Sequence, residues 1–256
     1  MKTRRNIILL LIGLSILGLL LLFILQHRAN PPVEWEENYA EDSRQPYGTY
    51  LLYRLLEEQA PELHPLDSNL AESLPLDAPL PSTYFFIGES IYLDSLAQQH
   101  LLRFVEQGHT ALLISKTLPG ELMTYGIDSS ICESPYWDGF AFTWRDEARL
   151  RLLHPASTPH LVDSTFDYYS RFGYTNYSWH FFDSSYFCES PSSLTACGLL
   201  ETGEADSTYT IGINFARASY GKGQLYFHAN PLAFSNFHLQ RPHGLQYTGQ
   251  ALGHLP

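Results

Sequence analysis

Nucleophilic catalysis on an α/β scaffold needs small residues on both sides of a Ser or Cys, because a strained strand-to-helix turn leaves no room for side chains there. The sequence comes nearest to this at Gly88-Glu89-Ser90-Ile91-Tyr92, between an apolar run and an amphipathic one. Tyr92 stands where the second small residue is needed, so the elbow fails, and Ser90 reads instead as the cap of a helix beginning near Leu93. None of Cys132, Cys188 and Cys197 lies in an elbow. Gly221-Lys222-Gly223 lacks the earlier glycine of a phosphate loop, since Ala216 stands there, and no Ser or Thr follows Lys222. It reads as a hairpin turn. Eleven histidines give no His-Glu-x-x-His and no i, i+4 pair on a convincing helix, so no metal and no other cofactor is expected. No two acids have the spacing from which a paired-carboxylate hydrolase can be argued. No catalytic residue is assigned.

The remaining polar candidates are binding residues. Ligands of open α/β sheets sit outside the carboxyl ends of parallel strands. That rule points to Gly88, Glu89 and Ser90 and to the segment Ser115–Thr117, with His228, Asn230 and Asn236 to be tested beside them. Asn230-Pro231 is equally an ordinary strand exit.

Those positions presuppose certain elements. Tyr84-Phe85-Phe86-Ile87 reads as a buried strand closed by Gly88. Leu93, Leu96, Ala97, His100, Leu101, Phe104 and Val105 recur at helical spacing, with Gly108 as the stop. Thr110 to Ser115 is a second buried strand, which completes a βαβ unit with parallel strands. Upstream, Thr49 is a candidate N-cap for a helix that carries Leu51, Leu52, Leu55 and Leu56 and ends before Pro61. Leu63 to Leu66 reads as a short strand, and Asp67 to Pro81 as a Pro-rich connection. From Ser134 to Phe187 the texture is aromatic and alternating, which fits half-buried strands and long loops. Leu194–Glu201 and Thr208–Ala218 are further strands, the latter joined to Gln224–Ala229 through Tyr220-Gly221-Lys222-Gly223. Pro242 to Leu252 is a last short helix. Tyr168, Tyr169, Tyr174, Tyr177, Trp179 and Phe182 either form a platform for sugar rings or fill a small β-rich extension.

The chain has 256 residues and a net charge of −12, which argues against docking on nucleic acid. Lys2, Arg4 and Arg5 precede an uncharged Leu- and Ile-rich run from Ile7 to Leu25, about the length that crosses hydrocarbon. The run is long for a signal peptide and no Ala-x-Ala site follows it, so residues 1–29 are expected to be an uncleaved anchor that reaches the membrane through residues 7–25. The basic flank places the N-terminus in the cytoplasm and the rest outside. Without Lys2, Arg4 and Arg5, 12 basic residues face 27 acidic ones, a net charge near −15. Residues 30–45 read as an acidic, Pro-led linker and 46–256 as the exported domain. Outside the cytoplasm, Cys188–Cys197 is a feasible disulfide, with buried free thiols as the alternative.

Two segments carry a family resemblance. Gln45-Pro46-Tyr47-Gly48-Thr49-Tyr50-Leu51-Leu52-Tyr53-Arg54-Leu55-Leu56 resembles the opening of the domain of unknown function 4350 family. Tyr220-Gly221-Lys222-Gly223-Gln224-Leu225-Tyr226-Phe227-His228-Ala229-Asn230-Pro231, followed by Phe234, Ser235, Asn236 and Leu239, resembles its C-terminal motif. The resemblance implies a flavodoxin-like, glutamine-amidotransferase-like α/β parallel sheet without the catalytic residues, here with the β-rich aromatic extension and one preceding transmembrane helix. It also implies a setting beside a MoxR-type ATPase and von Willebrand-type proteins. Similar proteins continue into a second membrane helix after the domain, whereas this chain stops at Leu255-Pro256. The expectation is a single-pass inner-membrane protein whose periplasmic domain binds a protein partner or envelope ligand without catalysis. The alternative is an envelope glycan or peptide hydrolase.

Overall fold

The computed structural model describes residues 2–29, 32–60, 62–66, 70–76, 80–119, 122, 140–153, 163–182, 187, 194–203 and 209–256. The chain forms two compact units, Met1–Glu34 and Trp35–Pro256. The first contains one helix, Lys2–Ala29 (α1). Its large apolar side chains between Leu10 and Leu25 are exposed. Among the described residues no helix is long and apolar enough to cross a membrane.

In the second unit the βαβ core forms as the sequence periodicity predicts. Thr83–Ser90 (β1), Ser95–Glu106 (α4) and Thr110–Thr117 (β2) follow one another, and the two strands pair in parallel from Thr83↔Thr110 to Ser90↔Thr117. They are preceded by Tyr50–Gln59 (α2) and Leu70–Ser73 (α3), the latter inside the Pro-rich connection. Leu63–Leu66 is not a strand. Gly88 does not close β1: the strand runs on through Glu89 and Ser90, with Gly88 opposite Ser115. Ser90 is therefore not the cap. Asp94 is, its carboxylate accepting from the Ala97 amide at 2.7 Å. Likewise Thr49 occupies the N-cap of α2 without a side-chain capping bond, because its hydroxyl donates to the Tyr39 carbonyl at 2.9 Å.

After β2 the chain departs from a flavodoxin-like plan. The strands are Phe140–Arg145 (β3), Glu147–Leu152 (β4), Asp163–Asp167 (β5), Tyr169–Ser170 (β6), Gly173–Tyr174 (β7), Tyr177–Phe182 (β8), Thr195–Gly203 (β9), Tyr209–Tyr220 (β10) and Gly223–His228 (β11). The main sheet runs β1-β2-β11-β10-β9-β4-β5, and β8 pairs with both β10 and β3. Among the described residues only β1-β2-β11 is parallel; every other pairing is antiparallel. The fold is thus mixed α/β with a β-rich extension, and a fully parallel sheet is not what forms. The reason is connection length. A parallel neighbour needs a crossover of a dozen or more residues, whereas β10 and β11 are joined by Gly221-Lys222 alone and can only be antiparallel.

Helices cover both faces of the sheet. Along β2, Leu112 and Ile114 point into a core with Tyr47, Leu52, Phe215, Tyr226, Phe234 and Tyr247. Ala111 and Leu113 point the other way, against Leu101, Phe104 and Val105 of α4 and Leu225 and Phe227 of β11. The first core is closed by the C-terminal elements: a 3-10 turn at Pro231–Phe234, Asn236–Leu239 (α5) and Pro242–Leu252 (α6). Cys197 is a buried free thiol in that core, and burial pushes its pKa up to about 11. Cys188 and Cys132 lie outside the described residues.

The β10–β11 turn abuts the end of α4. Gly221 has φ +58°, and a Cβ on Gly223 would lie 2.1 Å from the His109 carbonyl oxygen and 2.2 Å from that of Val105. Both obstacles are backbone and cannot rotate away. Gly223→Ala is expected to lower the unfolding free energy by about 2 kcal/mol or more. Gly249→Ala, inside α6 with open space around the new methyl, is expected to raise it by up to about 1 kcal/mol. Urea denaturation of the two variants distinguishes these outcomes.

Candidate functional site

The carboxyl ends of β1 and β2 carry Glu89, Ser90, Ser115, Lys116 and Thr117. Ser115 is fully buried, and its hydroxyl lies 2.7 Å from the Thr117 carbonyl and 3.1 Å from that of Glu89. It ties the two strand ends together. Gly88 is packed under the Phe86 ring, and a Cβ there would come within 2.8 Å of it. The basic group at these strand ends is Lys116, which lies within the Ser115–Thr117 segment but is not singled out by the sequence. It is 7% exposed, at the end of a strand whose preceding residues are all buried.

Lys116 is neutralised by a residue expected to lie in the linker. Its Nζ is 2.8 Å from each carboxylate oxygen of Glu37, 3.4 Å from Glu89 Oε1, and 4.8 Å from the centroid of the Tyr177 ring. The Glu37 carboxylate also accepts from the Tyr177 hydroxyl at 3.0 Å and from the Tyr39 hydroxyl. Such a carboxylate, with three donors, is what a buried lysine requires, since an isolated charge is expensive away from water. Burial drives both phenols well above the usual tyrosine range, and the Glu37 charge adds to the effect. Tyr39 has φ +45°, a conformation that costs a bulky L-residue free energy.

Aromatic rings hold this N-terminal segment against the extension. Tyr47 stacks on Tyr168 at 5.0 Å, Tyr168 on Tyr177 at 4.9 Å, and the column ends at the Lys116 ammonium. Trp35 packs on Tyr169 at 4.4 Å and on Phe237 at 5.4 Å. The Tyr47 hydroxyl donates to the Tyr169 carbonyl and accepts from the Tyr169 amide, both at 2.7 Å. Residues 35–45 are therefore part of the domain. The aromatic block is mostly core: Trp179, Phe182 and Tyr177 are buried, and only Tyr174 of the six is well exposed.

The C-terminal candidates are fastened in the same way. Asn236 accepts from the Leu51 amide at 2.8 Å, supplying the capping bond that Thr49 does not make, and donates at 2.8 Å to the carbonyls of Ser43 and Gln45. Asn230 continues the edge of β8, accepting from the His180 amide at 3.0 Å and donating to its carbonyl at 2.8 Å. His228 Nδ1 accepts from the Asn230 amide at 3.1 Å, so Nε2 carries the proton and faces the Tyr247 hydroxyl at 2.8 Å. Burial lowers the pKa of His228 to about 3. His238 is also about 3, chiefly through burial, with help from Arg241 and His243. Its Nε2 donates to the Asp167 carbonyl at 3.1 Å. The structure thus brings Gly88, Glu89, Ser90 and Ser115 together at one strand edge, while His228, Asn230 and Asn236 lie along the C-terminal motif. Among the described residues, no three His, Cys, Asp or Glu side chains converge as a metal site.

The sequence model for a Domain of unknown function (DUF4350) matches residues 41–252. The chain belongs to this family. Both segments that carried the resemblance fall within the match, and they meet in space through Asn236. No curated protein matches the chain. Among solved structures, the β-galactosidase from Bacillus circulans sp. alkalophilus aligns over 60% of this chain and 21% of its own, at 10% identity and a TM-score of 0.27, too low to bear on fold or activity.

The two histidines of this DUF4350 domain make an acid-lability prediction. Each is neutral when folded and gains a proton on unfolding below about pH 6.5. Their stabilisation is therefore complete above that pH and declines as pH falls from 6.5 towards about 3. Each contributes a slope of about 1.4 kcal/mol per pH unit inside that window. Denaturation of wild type and His238→Gln at pH 7 and pH 5 is expected to show a smaller acid loss in the variant.

Proposed function

We propose that this chain is a single-pass, membrane-anchored DUF4350 protein whose extracytoplasmic domain binds a protein partner and performs no catalysis. The anchor rests on the uncharged run Ile7–Leu25 behind Lys2, Arg4 and Arg5, which directs the domain outward into the periplasm. One observation carries the non-catalytic reading. Ser115, Asn230 and Asn236 spend their polar atoms on the protein's own backbone, and His228 is held neutral between a backbone amide and Tyr247. A catalytic base needs a pKa near the working pH and a free approach to substrate. His228 has neither. The partners would be envelope proteins of the system that the family resemblance implies, the MoxR-type ATPase setting included.

The hydrolase alternative has one contact in its favour. His180 Nε2 lies 3.3 Å from Ser178 Oγ, beside the exposed rings of Phe142 and Trp144. A serine–histidine pair of that kind also needs an acceptor that orients the imidazole. His180 Nδ1 has no hydrogen-bond partner among the described residues, and burial, with Lys116 adding to it, lowers its pKa to about 4. That imidazole is a poor base at neutral pH.

The two readings separate on purified full-length chain incubated with peptidoglycan sacculi. The binding reading expects no soluble fragments, and it expects Ser178→Ala and Ser90→Ala to support the cellular phenotype that loss of residues 46–256 abolishes. Fragment release that disappears in Ser178→Ala would establish the hydrolase instead.

A further inference from the structure

The carboxyl ends of β1 and β2, where ligands of open sheets sit, are occupied by the protein's own N-terminal segment. The occupant is a carboxylate. Glu37 presents both oxygens to Lys116 and accepts from the Tyr177 hydroxyl, although both of those groups belong to the sheet and Glu37 belongs to the segment leading in from residue 34. With Glu37 in place the Lys116 side chain is 9% exposed; without it, the receptor would be that ammonium, the Tyr177 hydroxyl beside it and the Tyr177 face beneath. That donor set recognises a carboxylate. Glu89 remains as a weak counterion, 3.4 Å away with a side chain 65% exposed.

Two features bear on exchange. The fastening differs along the segment: residues 43–50 are sewn to Asn236 and Phe237 by backbone and side-chain bonds, whereas Glu37 is held through its carboxylate by Lys116, Tyr177 and Tyr39, and Tyr39 by its amide on the Tyr47 carbonyl and by the Thr49 hydroxyl on its own carbonyl. Tyr39 also holds a positive φ that release would relieve. Release would take the Glu37 carboxylate away from Lys116 and leave Glu89 as its acidic neighbour.

We propose that Lys116 and Tyr177 form a carboxylate-binding site at the carboxyl edge of the parallel strands, held in cis by Glu37 and taken by a carboxylate of the protein partner when the Trp35–Tyr39 segment lifts. This rests on the partner-binding reading and names the chemistry at its contact point. The partner presents an Asp or Glu side chain or a chain terminus. Its binding and the release of Glu37 are then one equilibrium, so the partner's affinity is reduced by the fraction of time Glu37 is in place.

Acetate is the probe. In full-length Glu37→Ala, sodium acetate is expected to raise Tm by several degrees over sodium chloride at matched ionic strength, because it refills the vacated position. Glu37→Ala/Lys116→Met is expected to show no acetate-specific rise. In wild type, which folds regardless, acetate is expected to speed hydrogen exchange at the Tyr39 amide while leaving the β2 amides unchanged. Equal responses of Glu37→Ala to acetate and chloride overturn the site. Unchanged wild-type exchange at Tyr39 overturns its exchange. The partner reading has a separate readout: a photo-crosslinker at Trp144, an exposed position, that traps no envelope protein undermines partner binding while the acetate result for Lys116 stands.

Discussion

The Lys116–Glu37 ion pair is the constraint around which the N-terminal half of this domain is arranged. A lysine at the end of a buried strand cannot be left alone, since removing one partner of a buried pair costs about 3–5 kcal/mol. The fold supplies its partner from 79 residues upstream and completes the carboxylate with two tyrosine hydroxyls. Several other features follow from that choice. The segment that carries Glu37 must lie across the strand ends, Tyr39 must turn through a positive φ to reach the same carboxylate, and the column Tyr47–Tyr168–Tyr177 must back the ammonium.

The C-terminal motif makes this arrangement possible. Asn236 bonds two carbonyls of the incoming segment and the first turn of α2, so one amide fixes the direction in which the chain enters the domain. Asn230 and His228 set the exit from β11 in a similar way: one extends the edge of β8, and the other props Tyr247 of α6. The motif is polar because it replaces backbone pairing at places where strands end, and buried polar groups must be paired. Its residues look like a site in sequence for that reason, and in the structure they are joinery.

Much of the local architecture was legible. The apolar run at Tyr84–Ile87, the 3.6-residue periodicity from Leu93 to Val105 and the run at Thr110–Ser115 identified β1, α4 and β2, and Pro242–Leu252 was read with its observed bounds. Strand ends were less legible. Gly88 looked like a stop because glycine usually breaks a strand, yet here it makes room for the Phe86 ring. The parallel sheet was over-extended because strand polarity is set by connection lengths and pairing partners, which local periodicity does not carry. The Lys116–Glu37 pair left only a faint trace: a single lysine directly after Leu112-Leu113-Ile114-Ser115, with its partner in a stretch whose Pro and Glu content reads as linker. The aromatic block was legible as a block, though not which rings of the chain pack on it. Trp35 and Tyr47 of the same chain lie on it.

The carboxyl ends of the parallel strands hold the domain's own carboxylate, which makes the energetic coupling of Glu37 and Lys116 the central quantity. A double-mutant cycle by urea denaturation, with Glu37→Gln, Lys116→Met and the pair combined, measures it most directly. Lys116→Met alone is expected to cost about 3–5 kcal/mol by stranding Glu37, and the double variant to cost clearly less than the sum of the singles. Additive losses within about 0.5 kcal/mol would contradict the account, because the two charges would then not be holding one another.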